Sequence, residues 1–349
     1  MICSEILKME ETKMKKGKVL LLVMVCAFLI LGNTLTAQGS GEEKVVTIRY
    51  AHTNAPNDTA GKAARLFADL VKEKSEGTVI VEVYPSAQLG VLDEMIQGVS
   101  LGSIGMGHND FAALSLLHED LAFFNLPYIY KSPADALRLT GPDSPIVQQM
   151  NEELVKKSDV RLLFSFYYGT RQLSLNSPVY SPKDLSGKKV RAIPVKVWIE
   201  AVKGMGAIPT GVDFSELPTA LATNVVDGQE NPLNTIWANK LYEFQDYIML
   251  TGHMIATLPV YINNTTWTAL NETQQNSILD AGKEVADWSL QEVTKLESSL
   301  INSFEEAGIT IIGPEDGLQV EAFREKVLEH NNKNFSNWSK YLDQVKNLQ

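Results

Sequence analysis

Residues 45–84 read VVTIRYAHTNAPNDTAGKAARLFADLVKEKSEGTVIVEVY, and this stretch decides the class of fold. Val45–Ala51 alternates and is rich in β-branched residues, the pattern of a strand. Asp58–Ser75 then repeats apolar side chains at Ala63, Leu66, Phe67, Leu70 and Val71, the spacing of an amphipathic helix. Thr78–Tyr84 returns to a strand. Strand, helix and strand in such short order imply a parallel or mixed sheet covered by helices, an α/β fold.

The same style continues outward. Leu92–Leu101 reads as a helix and Ser103–Gly107 as a short buried strand. Arg161–Tyr168 is a strand, and Leu173–Ser177 another. Ser181–Gly187 is turn chemistry leading into the strand Lys189–Ile193. Val195–Met205 and Ser215–Thr223 are helices, and Tyr247–Thr251 is a strand. From Asn271 to about Gly308 there is no proline, and Ile278, Val285, Trp288, Leu296, Leu300 and Phe304 form one apolar stripe. Asn271 with Gln274 fits a capping pair at its start. Such a helix reaches ~55 Å, long enough to lie across two domains and brace them. A break into two helices near Gly282 is the alternative. Leu318–Leu348 reads as one or two surface helices.

Ahead of all this lies a targeting segment. Lys13, Lys15, Lys16 and Lys18 precede an unbroken apolar run, Val19–Leu31, and a small-residue end at Ala37. Basic region, short apolar core and small-residue end are the parts of a secretory signal. In a helix the apolar run spans only ~20 Å, too short for a membrane anchor. Met14 is an alternative start. The expected division is a signal peptide over 1–37 and a polar linker over 38–44. Both cysteines, Cys3 and Cys26, lie in the leader, which leaves the remainder without thiol or disulfide chemistry.

With 349 residues, the chain has room for one large domain or two of ordinary size. Lys and Arg total 31 against 42 Asp and Glu, a net charge of -11. An acidic surface repels phosphate backbones, which argues against a nucleic-acid binder. Catalytic signatures are missing: there is no Gly-x-Ser-x-Gly elbow, phosphate loop or His-Glu-x-x-His. The five histidines show no metal-ligand spacing. No cofactor or metal is expected.

Two features stand out. Gly169-Thr170-Arg171-Gln172 follows directly on a strand, and Arg191 lies inside the apolar strand Lys189–Ile193. An arginine so placed must face solvent or find an anion, because a buried unpaired charge costs several kcal/mol. Guanidinium grips a planar carboxylate with two parallel hydrogen bonds. A ligand carboxylate and an internal salt bridge to one of the chain's own acids both satisfy that need.

The third feature is residues 214–232, FSELPTALATNVVDGQENP. This resembles the signature of the extracytoplasmic solute receptors of tripartite ATP-independent periplasmic (TRAP) transporters, the DctP-like family. Val226–Pro232 matches its Val-Asp-Gly-Gln-Glu-Asn-Pro completely. Tyr84–Gly90, Leu126-Pro127-Tyr128, Gly169–Gln172, Asp184–Arg191, Gly206–Thr210 and Leu250–His253 fall in family order, so the resemblance covers essentially all of 45–340.

The resemblance implies a two-domain periplasmic-binding-protein fold, with mixed sheets flanked by helices, crossing hinge strands and a long domain-bridging helix. Domain I is expected over 45–168 plus 257–296, and domain II over 169–256 plus 297–349. It implies that Arg191 forms the main salt bridge to a ligand carboxylate, that Arg171 and Asn231 support it, and that Phe214 is an aromatic wall. His52, Thr53, Asn109 and Asp110 are expected to face the ligand from the first domain, with a helix N-cap as the other reading of Asp110. Glu94, Tyr168, Trp198 and His253 are further candidates. Leu217-Pro218, Asp213 and Pro194 depart from the commonest family pattern.

The implied protein is a periplasmic receptor, expected as a monomer, that delivers a small organic acid to the small and large TRAP membrane subunits. A sugar acid such as a uronate or aldonate is the first choice. A C4-dicarboxylate or keto acid is the second. From another class, an exported enzyme acting on acidic sugars would need an acid–base pair such as Asp110 with Glu94 or His108. A sensor-input protein docking on a membrane kinase is the third.

Overall fold

The computed structural model describes residues 45–348, and the expected signal segment and linker lie outside them. Among the described residues the strands are β1 (Val46–Ala51), β2 (Val79–Tyr84), β3 (Met106–His108), β4 (Val160–Leu175), β5 (Lys189–Ala192), β6 (Ile208–Gly211), β7 (Gly228–Pro232), β8 (Tyr247–Asn263) and β9 (Thr310–Ile312). They join in one mixed sheet of order β2-β1-β3-β8-β4-β7-β5-β6, with β9 beside β8. The α/β class expected from residues 45–84 is the class observed. β1 and β2 pair in parallel with Val46 opposite Val79, and the helix Thr59–Lys74 crosses between them.

The middle of the sheet departs from the expectation. Two strands over 161–177 are a single strand, β4, of 16 residues. The expected strand Tyr247–Thr251 continues to Asn263 as β8. β4 and β8 pair antiparallel along their length, with the register shifting at Leu162/Phe164, Tyr167/Gly169 and Arg171/Leu173. Glycine at 169 and proline at 259 argue locally against long strands. Tertiary pairing overrides them: Gly169 takes φ 139°, and a Cβ there would come 2.6 Å from the Pro232 side chain. The helices Pro133–Thr140 and Pro145–Ser158 were also not legible as elements.

The long helix is continuous, Glu272–Glu306, capped by Asn271, whose side chain accepts from Gln274 N while the Gln274 side chain accepts from Asn271 N. Gly282 does not break it. A Cβ at that position would stand 2.4 Å from the Phe164 ring, so glycine is what lets helix and β4 approach. Its first half buries Ile278, Ala281 and Val285 in a core with Phe67, Val71 and Phe164. Its last turns bury Leu300 and Phe304 in a different core with Leu217, Ile236 and Ile248. One helix thus packs into two cores.

Candidate functional site

β4 and β7 lie side by side with Arg171 opposite Pro232, Gln172 opposite Asn231 and Leu173 opposite Glu230. That register carries the Arg171 guanidinium onto Glu230. Its Nε donates to Oε2 at 2.5 Å, and its Nη2 to Oε1 at 2.8 Å and to the Glu230 carbonyl at 2.7 Å. Nη2 also donates to Asn231 Oδ1 at 3.0 Å. The Trp198 ring lies 4.4 Å from the guanidinium carbon. His253 stands on the other side of the carboxylate, with Nε2 3.1 Å from Oε2 and Nδ1 2.8 Å from the Thr251 hydroxyl.

Two charges removed from water are tolerated only when each is paired and hydrogen-bonded. Burial alone would raise the Glu230 pKa, but the Arg171 charge and the His253 hydrogen bond outweigh it and hold the carboxylate at about 2. Of the two readings open for the arginines, Arg171 takes the internal salt bridge.

Arg191 is placed differently. It is the third residue of β5 and is 2% exposed. Nε donates to the Val212 carbonyl at 2.8 Å, and the guanidinium carbon lies 5.9 Å from the Phe214 ring centre. Among the described residues it forms no salt bridge. Burial lowers its pKa to about 10, despite the pull of Glu230, so it remains a cation at neutral pH.

Both arginines line a cavity of about 250 Å³. Eight of the sequence-predicted site residues meet there: Arg191, Arg171, Asn231, Phe214, Asp110, Asn109, Thr53 and Tyr168. Asn109 is fixed by donating to the Tyr261 hydroxyl at 2.7 Å. The Asn231 amide is engaged at both ends, by Arg171 and by the Gln229 side chain. Asp110 is not a side-chain N-cap. The Ala113 N–H goes to its backbone carbonyl, and its Oδ1 is buried with no hydrogen-bond partner. Burial raises its pKa, against the pull of Arg171.

Four expected residues stand elsewhere. His52 is buried, its ring stacked at 4.6 Å on His108, and does not line the cavity. Glu94 is spent on its own helix start, accepting from Val91 N at 3.0 Å. Trp198 lies under Arg171 and packs instead of lining the cavity. His253 likewise reaches Glu230 and not the cavity.

Sequence reasoning missed Glu230, whose signal was a glutamate inside the buried run Val226–Pro232. It also missed Asn54 and Asn239, which line the cavity. Asn54 donates to the Tyr168 hydroxyl at 2.8 Å, and Asn239 donates to the Thr235 carbonyl at 3.0 Å.

Residues 50–337 match the family described as bacterial extracellular solute-binding protein, family 7, DctP. The chain belongs to that family. Within it, the sialic acid-binding periplasmic protein SiaP of Vibrio cholerae is 35% identical over 292 residues, 84% of this chain and 89% of that one. The 2,3-diketo-L-gulonate-binding periplasmic protein YiaO of Escherichia coli is 29% identical over 270 residues, 76% of this chain and 80% of that one. A TRAP periplasmic solute binding protein of Roseobacter denitrificans, solved with bound L-galactonate, superposes with a TM-score of 0.79 at 26% identity. That likeness covers 86% of this chain and 99% of the other. The DctP family is thus one of solute-binding receptors, and the fold expected from the resemblance is the fold of its solved members.

Proposed function

We propose that the protein is the extracytoplasmic receptor of a TRAP transporter, capturing a small organic acid through an arginine–carboxylate salt bridge. The observation that carries this reading is Arg191, a buried cation at the cavity wall that forms no salt bridge among the described residues. An incoming carboxylate supplies the missing partner. Arg171, Asn231 and Gln229 form a braced scaffold behind it, since their polar groups are already engaged with one another and with Glu230.

The cargo we assign is a sugar acid such as a uronate or aldonate. Thr53, Asn109 and Asp110 line the same cavity and offer hydroxyl partners. The sialic acid, diketogulonate and galactonate named for the three relatives share this chemistry, one acid group on a polyhydroxy carbon chain.

The receptor works in the periplasm after removal of residues 1–37, as a monomer, and delivers its cargo to the small and large membrane subunits. Domain I (45–168 plus 257–296) and domain II (169–256 plus 297–349) close on the ligand by bending β4 and β8. Closure follows if the ligand binds the closed form more tightly, and contacts from both sides of the cavity supply that difference. Capture without turnover is favoured because the partners that an acid–base pair with Asp110 would need are engaged elsewhere. Glu94 caps its own helix, and His108 is held by Tyr50 and Asn54.

The test is calorimetric titration of residues 38–349, after ligand removal, with aldonates, uronates and neutral sugars. An acid that binds while its neutral analogue does not supports the reading. Intact cargo recovered after incubation argues for a receptor, and a converted product overturns it.

A further inference from the structure

The cavity presents its charges and hydrogen-bond donors unequally, and the imbalance bears on what the far end of the ligand looks like. Two cations line it, but Glu230 already neutralises Arg171 through two hydrogen bonds. Arg191 is left as the cation without a salt bridge, while Asp110 and Asp213 bring carboxylates to the same walls.

Three amides at the walls each have an N–H engaged within the protein. The amide of Asn109 is given to Tyr261, that of Asn54 to Tyr168, and that of Asn231 to Gln229. The Tyr168 hydroxyl donates to Asp58 Oδ2 at 3.2 Å. Away from Arg191 the walls also present acceptors, the carboxyl groups of Asp110 and Asp213 among them. The sharpest case is Asp110 Oδ1, buried and without any partner. A buried acceptor left unmatched is costly, and its need is a donor.

We infer that the site accepts one carboxylate only, and that Asp110 makes it so by demanding a hydroxyl donor at the ligand's other end. This rests on the organic-acid reading and narrows it to polyhydroxy monocarboxylates. A second carboxylate has no proton to donate at neutral pH. It meets the unmatched Oδ1 of Asp110 as acceptor against acceptor, and Arg191, the cation without a salt bridge, is already taken by the first carboxylate. C4-dicarboxylates and aldarates are rejected on the same ground.

The experiment titrates the ligand-free protein with six-carbon aldonates and uronates of several configurations, each paired with the aldarate of the same carbon chain. Succinate and malate are added. The tightest ligand is expected to be a monoacid, with its matched diacid at least 100-fold weaker. In Asp110→Asn, an isosteric change whose fold is checked by its melting curve, the gap is expected to fall below tenfold. If the tightest ligand is a diacid, if the wild-type gap is under tenfold, or if Asp110→Asn leaves the gap unchanged, the single-carboxylate inference fails and the organic-acid reading stands. If no acid binds at millimolar concentration, that reading fails and this inference with it.

Discussion

Glu297, on the long helix, accepts the backbone N–H of Thr170 at 2.5 Å, one residue before the buried Arg171. Its other oxygen accepts from the Tyr167 hydroxyl at 2.8 Å. A single carboxylate thus ties the helix to β4 at the Tyr167/Gly169 register shift, where a strand would otherwise leave an N–H unmatched. Glu297→Ala is expected to cost about 1–3 kcal/mol, the penalty of a buried donor without a partner. Glu297→Gln, which keeps an acceptor, should recover part of it. Urea denaturation of the two variants checks this.

The two arginines should separate cleanly. Removing Arg171 strands Glu230 as a buried lone charge, so Arg171→Ala is expected to lose about 3–5 kcal/mol of stability. Arg191 has no internal salt bridge to lose, so Arg191→Ala should melt near the wild type yet bind its acid about 3–5 kcal/mol more weakly, hundredfold or more. Melting curves and titrations on both variants decide it, and swapped phenotypes would reverse the assignment of roles.

Acid should act in two stages. Burial lowers His52 to about 4, and His108 is lowered by its burial and by the neighbouring His52. The unfolded chain therefore binds protons that the folded one refuses. The stability this gives is full above about pH 6.5 and is lost as the pH falls toward 4. Glu230 acts lower: its contribution is full above about pH 4.5 and is lost as the pH falls toward about 2. Calorimetric melting from pH 7.5 to 3.5 should show the upper stage, and His52→Phe should flatten it. A variant profile that overlays the wild type would refute the assignment.

At Gly282 two effects oppose each other. Alanine in a helix interior is favoured over glycine by about 1 kcal/mol. Here a methyl group would stand 2.4 Å from the Phe164 ring, and overpacking costs about 1–3 kcal/mol. Gly282→Ala is expected to lower the melting temperature, and paired with Phe164→Leu it should not.

Much of the architecture was readable because each pattern had one period. β1, the helix Thr59–Lys74 and β2 fall within a residue or so of their expected bounds, and the long helix was marked by its cap and its lack of proline. β4 and β8 run on past their expected ends, through Gly169 and Pro259, residues that disfavour a strand in isolation. Only pairing between distant segments makes those positions strand. At the site, strand position identified Arg191, but it could not tell its role from that of Arg171. What distinguishes them is the β4–β7 register, which brings Glu230 into hydrogen bonds with Arg171 and not with Arg191. His52 was expected at the cavity from its place at the end of β1, and which face a terminal residue takes depends on neighbours, here His108, far along the chain.

Because β4 and β8 run unbroken from one end of the sheet to the other, no flexible linker separates its halves. Heat cannot melt one end while leaving the ladder of the other intact. The chain should give one calorimetric peak, with its van't Hoff and calorimetric enthalpies in agreement.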